Sequence, residues 1–158
     1  SRYLSGGMIL NNQLTDFSFL SNISGKPIAN QIRANKRPMS SMSPVIVFRD
    51  NRPVLAVGSP GGWLIPHYIT NALIGALDFK LSPKEVVSQK LLSVRRDYTV
   101  LENNSAWANA NIHKRLTSLG HQIKYSSFSS GLALIKWHKG RWHGAADPRR
   151  EGKAVSSQ

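Results

Sequence analysis

A mixed α+β domain is what this sequence predicts, and three observations carry the prediction. β-Branched and apolar runs, Val45-Ile46-Val47-Phe48 and Pro53-Val54-Leu55-Ala56-Val57, flank a short polar turn as in a β-hairpin. Behind Gly61-Gly62, apolar residues then recur in adjacent pairs at helical spacing: Leu64 and Ile65, Tyr68 and Ile69, Ala72 and Leu73, Ala76 and Leu77. Further strand and helix signals alternate through the second half of the chain. With 158 residues, 41% of them hydrophobic, the chain suits one domain spanning residues 1–158 or a large piece of one.

Met8-Ile9-Leu10 predicts a short strand running into a polar turn at Asn11-Asn12-Gln13, and residues 21–44 an irregular polar segment. The hairpin follows, with Arg49-Asp50-Asn51-Arg52 as its loop, and then the helix behind the glycine pair. Pro83 to Ser88 reads as a short helix capped by Ser82, Tyr98 to Glu102 as a strand, and Ala106 to Leu119 as a helix that turns Ile112, Leu116 and Leu119 inward and ends at Gly120. Three strands are expected at His121 to Tyr125, Gly131 to Trp137 and Arg141 to Ala145, the last two joined by His138-Lys139-Gly140. Pro148 to Gln158 reads as a polar tail, and no internal repeat is present.

Composition closes off several chemistries. No cysteine means no disulfide, no thiolate metal site and no cysteine nucleophile. The five histidines, His67, His113, His121, His138 and His143, lack an i, i+4 pair with an intervening Glu, so a metal site is not expected. No Gly-x-Ser-x-Gly elbow supports a serine triad. Trp63 to Leu77 is too short and too interrupted to span a bilayer. Ser1 to Gly7 has neither an initiating Met nor the apolar run of a signal peptide, so the chain is expected to be a fragment or a processed product.

The net charge is +13, from 21 Lys+Arg against 8 Asp+Glu, and it is spread along the chain. Spread charge raises affinity for polyanions without naming one, and a solvated basic surface explains it equally well. Lys136-Trp137-His138-Lys139-Gly140-Arg141-Trp142-His143 interleaves cations and indoles, a pattern that stacks bases or simply alternates between core and water. No nucleic-acid partner is expected.

Three segments offer chemistry. Gly58-Ser59-Pro60-Gly61-Gly62, between strand and helix, lets a substrate approach backbone N–H groups, or is a tight turn that needs glycine. In Lys36-Arg37-Pro38-Met39-Ser40-Ser41-Met42-Ser43-Pro44, hydroxyls beside cations suit a carboxylate or phosphate, though a Ser-rich loop between prolines looks the same. Asn11-Asn12-Gln13-Leu14-Thr15-Asp16 places a carboxylate and an amide three residues apart, suited to an ammonium group or to capping.

In order, Gly7 to Phe17, Lys36 to Pro44, Gly58 to Gly62 and Gly144-Ala145-Ala146-Asp147-Pro148-Arg149-Arg150 resemble the small subunit of gamma-glutamyltranspeptidases. The resemblance covers Gly6 to Gly152, strongest in the first 62 residues and weakest between Leu81 and Phe128. It implies part of an N-terminal nucleophile hydrolase fold, an αββα sandwich. It also implies γ-glutamyl hydrolysis and transfer, from glutathione and related donors to water, amino acids or peptides, without a metal or organic cofactor. A precursor of that family cuts itself to expose an N-terminal threonine, which is expected upstream of Ser1. A large subunit from the same precursor is the implied partner, and a periplasmic or extracellular location the implied setting.

Carried over by residue, the resemblance assigns Gln13 and Asp16 to the substrate α-ammonium, Ser40 and Ser41 to its α-carboxylate, and Gly61 and Gly62 to the oxyanion hole. Two departures stand out. Trp63-Leu64-Ile65 replaces the usual Ser-Arg-Ile after the glycine pair, and Val87 to Arg96 replaces a histidine-containing Ala-Pro-Arg segment. A specialised member with a shifted pocket is therefore expected. The competing readings are an acylase of the same superfamily acting on other amides, and a catalytically dead basic binding module.

Overall fold

Gly6 and Gly7 both take positive φ, 57° and 78°, and turn the chain tightly between β1 (Leu4–Ser5) and β2 (Met8–Ile9). The same device recurs at Ser24 and Gly25, with φ of 50° and 77°, between β3 (Asn22–Ile23) and β4 (Lys26–Pro27). A 3-10 turn, Gln13–Asp16, lies between the two hairpins. The second hairpin falls inside the segment expected to be irregular, because two-residue strands leave no periodicity to read. These elements make up the first of two compact units, Ser1–Ser41 and Met42–Gln158, in a computed structural model that describes residues 3–95, 97–103 and 109–155. In the first unit Phe17 is buried while Leu4, Ile9, Phe19 and Leu20 are exposed, so hydrogen bonds rather than an apolar core hold its loops.

The second unit is built on β5 (Val45–Arg49) and β6 (Arg52–Gly58). Their turn is only Asp50-Asn51, both at positive φ (49° and 59°), so the expected four-residue loop shortens as Arg49 pairs with Arg52. Asp and Asn tolerate that backbone because their short polar side chains bond locally. Then come α1 (Ile65–Leu77), α2 (Pro83–Ser88), β7 (Leu92–Val94) and β8 (Thr99–Glu102). The chain continues through α3 (Ala110–Ser118), β9 (Ile123–Ser126), β10 (Ala133–His138) and β11 (Arg141–Ala146). Two sheets result: an antiparallel one in the order β11-β10-β6-β5, and a smaller one, β7-β8-β9, with β8 and β9 parallel across α3.

Alternation along the strands divides the large sheet into two unlike faces. Leu55, Val57 and Leu134 point to one face and pack against Tyr68, Ile69, Ala72 and Ala76 of α1 and Val86 and Val87 of α2. Pro66 opens α1, while α2 starts on a capping box in which the Ser82 N–H donates to Glu85 at 2.8 Å. On the other face Ile46, Phe48, Ile135, Trp137 and Trp142 are exposed, with Trp137 and Trp142 edge to face at 5.5 Å. One sheet with helices on one side and an uncovered apolar face on the other is half of a four-layer sandwich.

Two further sequence expectations need correction. Leu119 is 75% exposed rather than inward, because α3 ends at Ser118 and Leu119 is its C-terminal cap. Ile112 and Leu116 are half-buried as expected, and the first turn assigned to that helix, 106–108, lies outside the described residues. Residues 148–158 do not begin as a solvated tail. Arg149 is anchored: its guanidinium donates to Glu102 Oε1 and Oε2 at 2.7 and 2.8 Å, Asp147 Oδ1 at 3.0 Å, Gln89 O at 2.8 Å and Val87 O at 3.3 Å. All five of its N–H groups are therefore used. Burial pushes the Glu102 carboxyl up, but Arg149 and the Leu91 N–H more than reverse this and hold it below its ordinary value. The clamp ties the small sheet to the end of α2 and to the strand end at Asp147.

Candidate active site

In the first unit the sequence folds locally so that the two residues expected to meet an ammonium group face each other. Asn11 Oδ1 accepts from the Gln13 N–H at 3.0 Å, and Thr15 Oγ1 donates to Asn12 O at 2.7 Å. These bonds close the 3-10 turn and bring Gln13 Nε2 to Asp16 Oδ2 at 2.7 Å. The turn's N-cap, Asn12, makes no side-chain cap bond, and the Asn11 bond is a local one two residues on, whereas the Asp16 carboxylate is exposed and bonded to Gln13. An oriented carboxylate beside an amide is an acceptor set suited to a primary ammonium group.

Asn30 joins this turn to the serine pair. Its Nδ2 donates to Asp16 O at 2.6 Å and its Oδ1 accepts from the Met39 N–H at 3.0 Å. Its own carbonyl accepts from Ser18 N–H at 2.9 Å, and Lys36 Nζ donates to Ala29 O. Ser40 and Ser41, directly after Met39, are thereby tethered to the Gln13–Asp16 turn within one unit. Sequence reasoning missed Asn30. An asparagine in a polar loop carries no local signal of a bridge, and only the return of the chain at Met39 reveals it.

The glycine loop belongs to the second unit, where it ends β6 and starts α1. Ser59 Oγ donates to Pro60 O at 2.7 Å and accepts from the Gly131 N–H at 3.3 Å, which pins the loop to the segment before β10. Gly61 (φ 141°) and Gly62 (φ 58°) follow. The Gly61 carbonyl accepts from Leu64 N–H at 3.3 Å and begins the 3-10 turn Gly62–Leu64. A Cβ on Gly61 would stand 2.5 Å from Tyr68 Cε2, so the buried tyrosine ring forms the floor of the loop. Phe128 braces that ring edge-on at 6.1 Å, and burial pushes the Tyr68 phenol above its ordinary 10.0, keeping it neutral. Glycine is thus required at position 61 by both backbone and floor. The result is a rigid backbone turn at a helix start, the kind of place where N–H groups meet developing negative charge.

Among the described residues no three His, Asp or Glu side chains cluster as metal ligands, and no helix is long and apolar enough to cross a membrane.

Residues 1–157 match the family model for gamma-glutamyltranspeptidase. The glutathione hydrolase proenzyme of Bacillus subtilis is 34% identical over 155 residues, covering 94% of this chain and 25% of that protein. The chain thus spans about a quarter of the length of that curated relative. A mutant of Helicobacter pylori gamma-glutamyltranspeptidase aligns with a TM-score of 0.77 at 33% identity, over 92% of this chain and 83% of that one. A cephalosporin acylase from Bacillus halodurans shares the fold at a TM-score of 0.79 and 18% identity, over 96% of this chain and 28% of that one. The half-sandwich therefore belongs to the αββα fold of N-terminal nucleophile hydrolases. With the family match running through residues 1–157 and the four motifs in their order, this chain belongs to the gamma-glutamyltranspeptidase family.

Proposed function

We propose that the complete protein hydrolyses and transfers γ-glutamyl groups from glutathione and related donors. Its nucleophile in this reading is an N-terminal threonine outside these 158 residues, which on their own have no turnover. The observation that carries the reading is the tethered constellation of the first unit: Asp16 held by Gln13, and both linked through Asn30 to the Ser40-Ser41 stretch. A carboxylate and amide for an ammonium group, beside hydroxyls for a carboxylate, match the head of an α-amino acid. A γ-glutamyl donor presents that head, whereas a simple acyl lactam does not.

In the mechanism that follows, the threonine hydroxyl attacks the γ-carbonyl while its own amine takes the proton. The carbonyl oxygen becomes an oxyanion, which the Gly61 and Gly62 backbone N–H groups stabilise; one such donor is worth roughly 3 kcal/mol. Collapse expels the donor's amine, which takes up the proton, and leaves a γ-glutamyl ester on threonine. Water then releases glutamate, or an amine carries the acyl group away. The uncovered face at Ile46, Phe48, Ile135, Trp137 and Trp142 supports a large subunit of the same precursor as the partner layer. A periplasmic or extracellular location is part of the same proposal.

The test is the complete protein with γ-glutamyl and α-glutamyl anilides. Release from the γ-linked compound alone, lost in Asp16→Ala, is the expected result. Equal release from both, or turnover of acyl lactams in its place, favours an acylase and removes Asp16 from the donor site.

A further inference from the structure

Beside the glycine turn, wholly within the second unit, lies a cavity of about 310 Å3 whose walls include none of Gln13, Asp16, Ser40 and Ser41. Trp63, Ser93, Arg95, Tyr98, Lys124 and Phe128 are among its walls, and no acidic residue is among the described residues that line it. Two of its polar groups are buried without a hydrogen-bond partner among the described residues: Ser93 Oγ, on a residue of 0% exposure, and Arg95 Nε. Buried donors left unmatched are costly, so a site that keeps two of them side by side on β7 and its end is built to be filled.

The walls define what fills it. The Arg95 guanidinium stacks over the Trp63 ring, which occupies its face and leaves its N–H edge to bond in the plane. Lys124 Nζ stands 4.1 Å over the Tyr98 ring, adding a second positive charge. A planar anion with two acceptor oxygens, carried on a small organic body that rests against the aromatic rings, satisfies all of these groups; a carboxylate is that anion. The site is joined to the glycine loop on two sides. Trp63 directly follows Gly62 in the 3-10 turn, and Phe128 packs on Tyr68, the floor beneath Gly61.

We propose that this cavity binds the carboxylate of the amine that accepts the γ-glutamyl group, with Ser93, Arg95 and Lys124 as the groups that hold it. The proposal rests on the γ-glutamyl transfer reading above. It also gives a role to Trp63, which departs from the Ser-Arg-Ile pattern at this position.

The experiment compares glycylglycine with glycylglycinamide as acceptors for the complete enzyme, in the same preparation, so that any loss of competent enzyme cancels. The expected KM for the free acid is about tenfold lower than for the amide, a difference that Arg95→Gln and Lys124→Gln each reduce to within about twofold and Arg95→Lys partly restores. Equal KM values in the unsubstituted enzyme overturn the proposal. So does an Arg95→Gln protein whose defect is failure to be cut into two chains, which places an internal carboxylate of the precursor in the cavity. If the enzyme releases no γ-glutamyl product at all, the functional reading fails, and calorimetric titration with the same two dipeptides judges the cavity alone. Binding of the acid but not the amide, abolished in Arg95→Gln, upholds the carboxylate site; equal binding or none overturns it.

Discussion

Gly61→Ala is the substitution on which the account of the glycine loop depends most. The added Cβ would lie 2.5 Å from Tyr68 Cε2 and 3.2 Å from Cδ2, against a ring that Phe128 and α1 hold in place. Overpacking of this kind costs about 1–3 kcal/mol. A side chain at φ 141° adds about 1–3 kcal/mol of backbone strain. Gly62 offers the control within the same turn, since its φ is 58° and a Cβ there meets nothing within 4 Å. Alanine at position 62 should cost only the left-handed penalty, about 1–2 kcal/mol. Urea unfolding of the complete protein should rank Gly61→Ala below Gly62→Ala by at least about 1 kcal/mol. The kcat on a γ-glutamyl anilide should fall further in Gly61→Ala, up to about 100-fold, as the displaced N–H loses the oxyanion. Two variants of equal stability and equal kcat would refute the claim that Tyr68 sets the loop.

Asn30→Ala removes both tethers between the Asp16 turn and Met39; with each bond worth about 1 kcal/mol, the donor KM should rise by up to about 30-fold while kcat holds, as steady-state kinetics would show. Arg149→Met leaves Glu102 and the buried Asp147 without their cation and should cost about 3–5 kcal/mol in denaturant unfolding. The depressed Glu102 carboxyl contributes stability that is fully present above its unfolded pKa and is lost as pH falls through the lower folded value, so Glu102→Gln should flatten the acid limb of a stability–pH curve. Lys136 Nζ donates to Ala76 O at 2.8 Å and Leu81 O at 3.0 Å, and burial, with Lys80 and Arg49 nearby, lowers its pKa from 10.5. The unfolded chain then binds the proton more tightly, so stability should rise with pH between the lowered value and 10.5, a slope absent in Lys136→Met.

What was legible in the sequence was local. The β5–β6 hairpin, α1 behind its glycines and the Ser82 cap of α2 each carry their cause within a few residues, and each formed close to where it was expected. Strand β7 is only Leu92-Ser93-Val94, too short for a pattern, and exists because β8 pairs with it. Arg149 sits after a single proline in a run of charges that reads as a polar tail, and its partner Glu102 is 47 residues away. Leu119 read as inward because helical spacing was carried one residue past the helix end. Gln13, Asp16, Ser40 and Ser41 were nameable from motif order, whereas Asn30, which tethers them, was not. The carboxylate cavity gathers side chains from the glycine turn, the small sheet and the Phe128 segment, a juxtaposition no linear motif encodes.

The most direct test of the central claim is the intact mass of the product expressed from the complete gene, with N-terminal sequencing of each chain. The account predicts two chains, the smaller beginning at a threonine and containing the residues described here. A single uncut chain, or a small chain that begins at any other residue, would contradict the threonine mechanism and leave the Gln13–Asp16 turn without a reaction to serve.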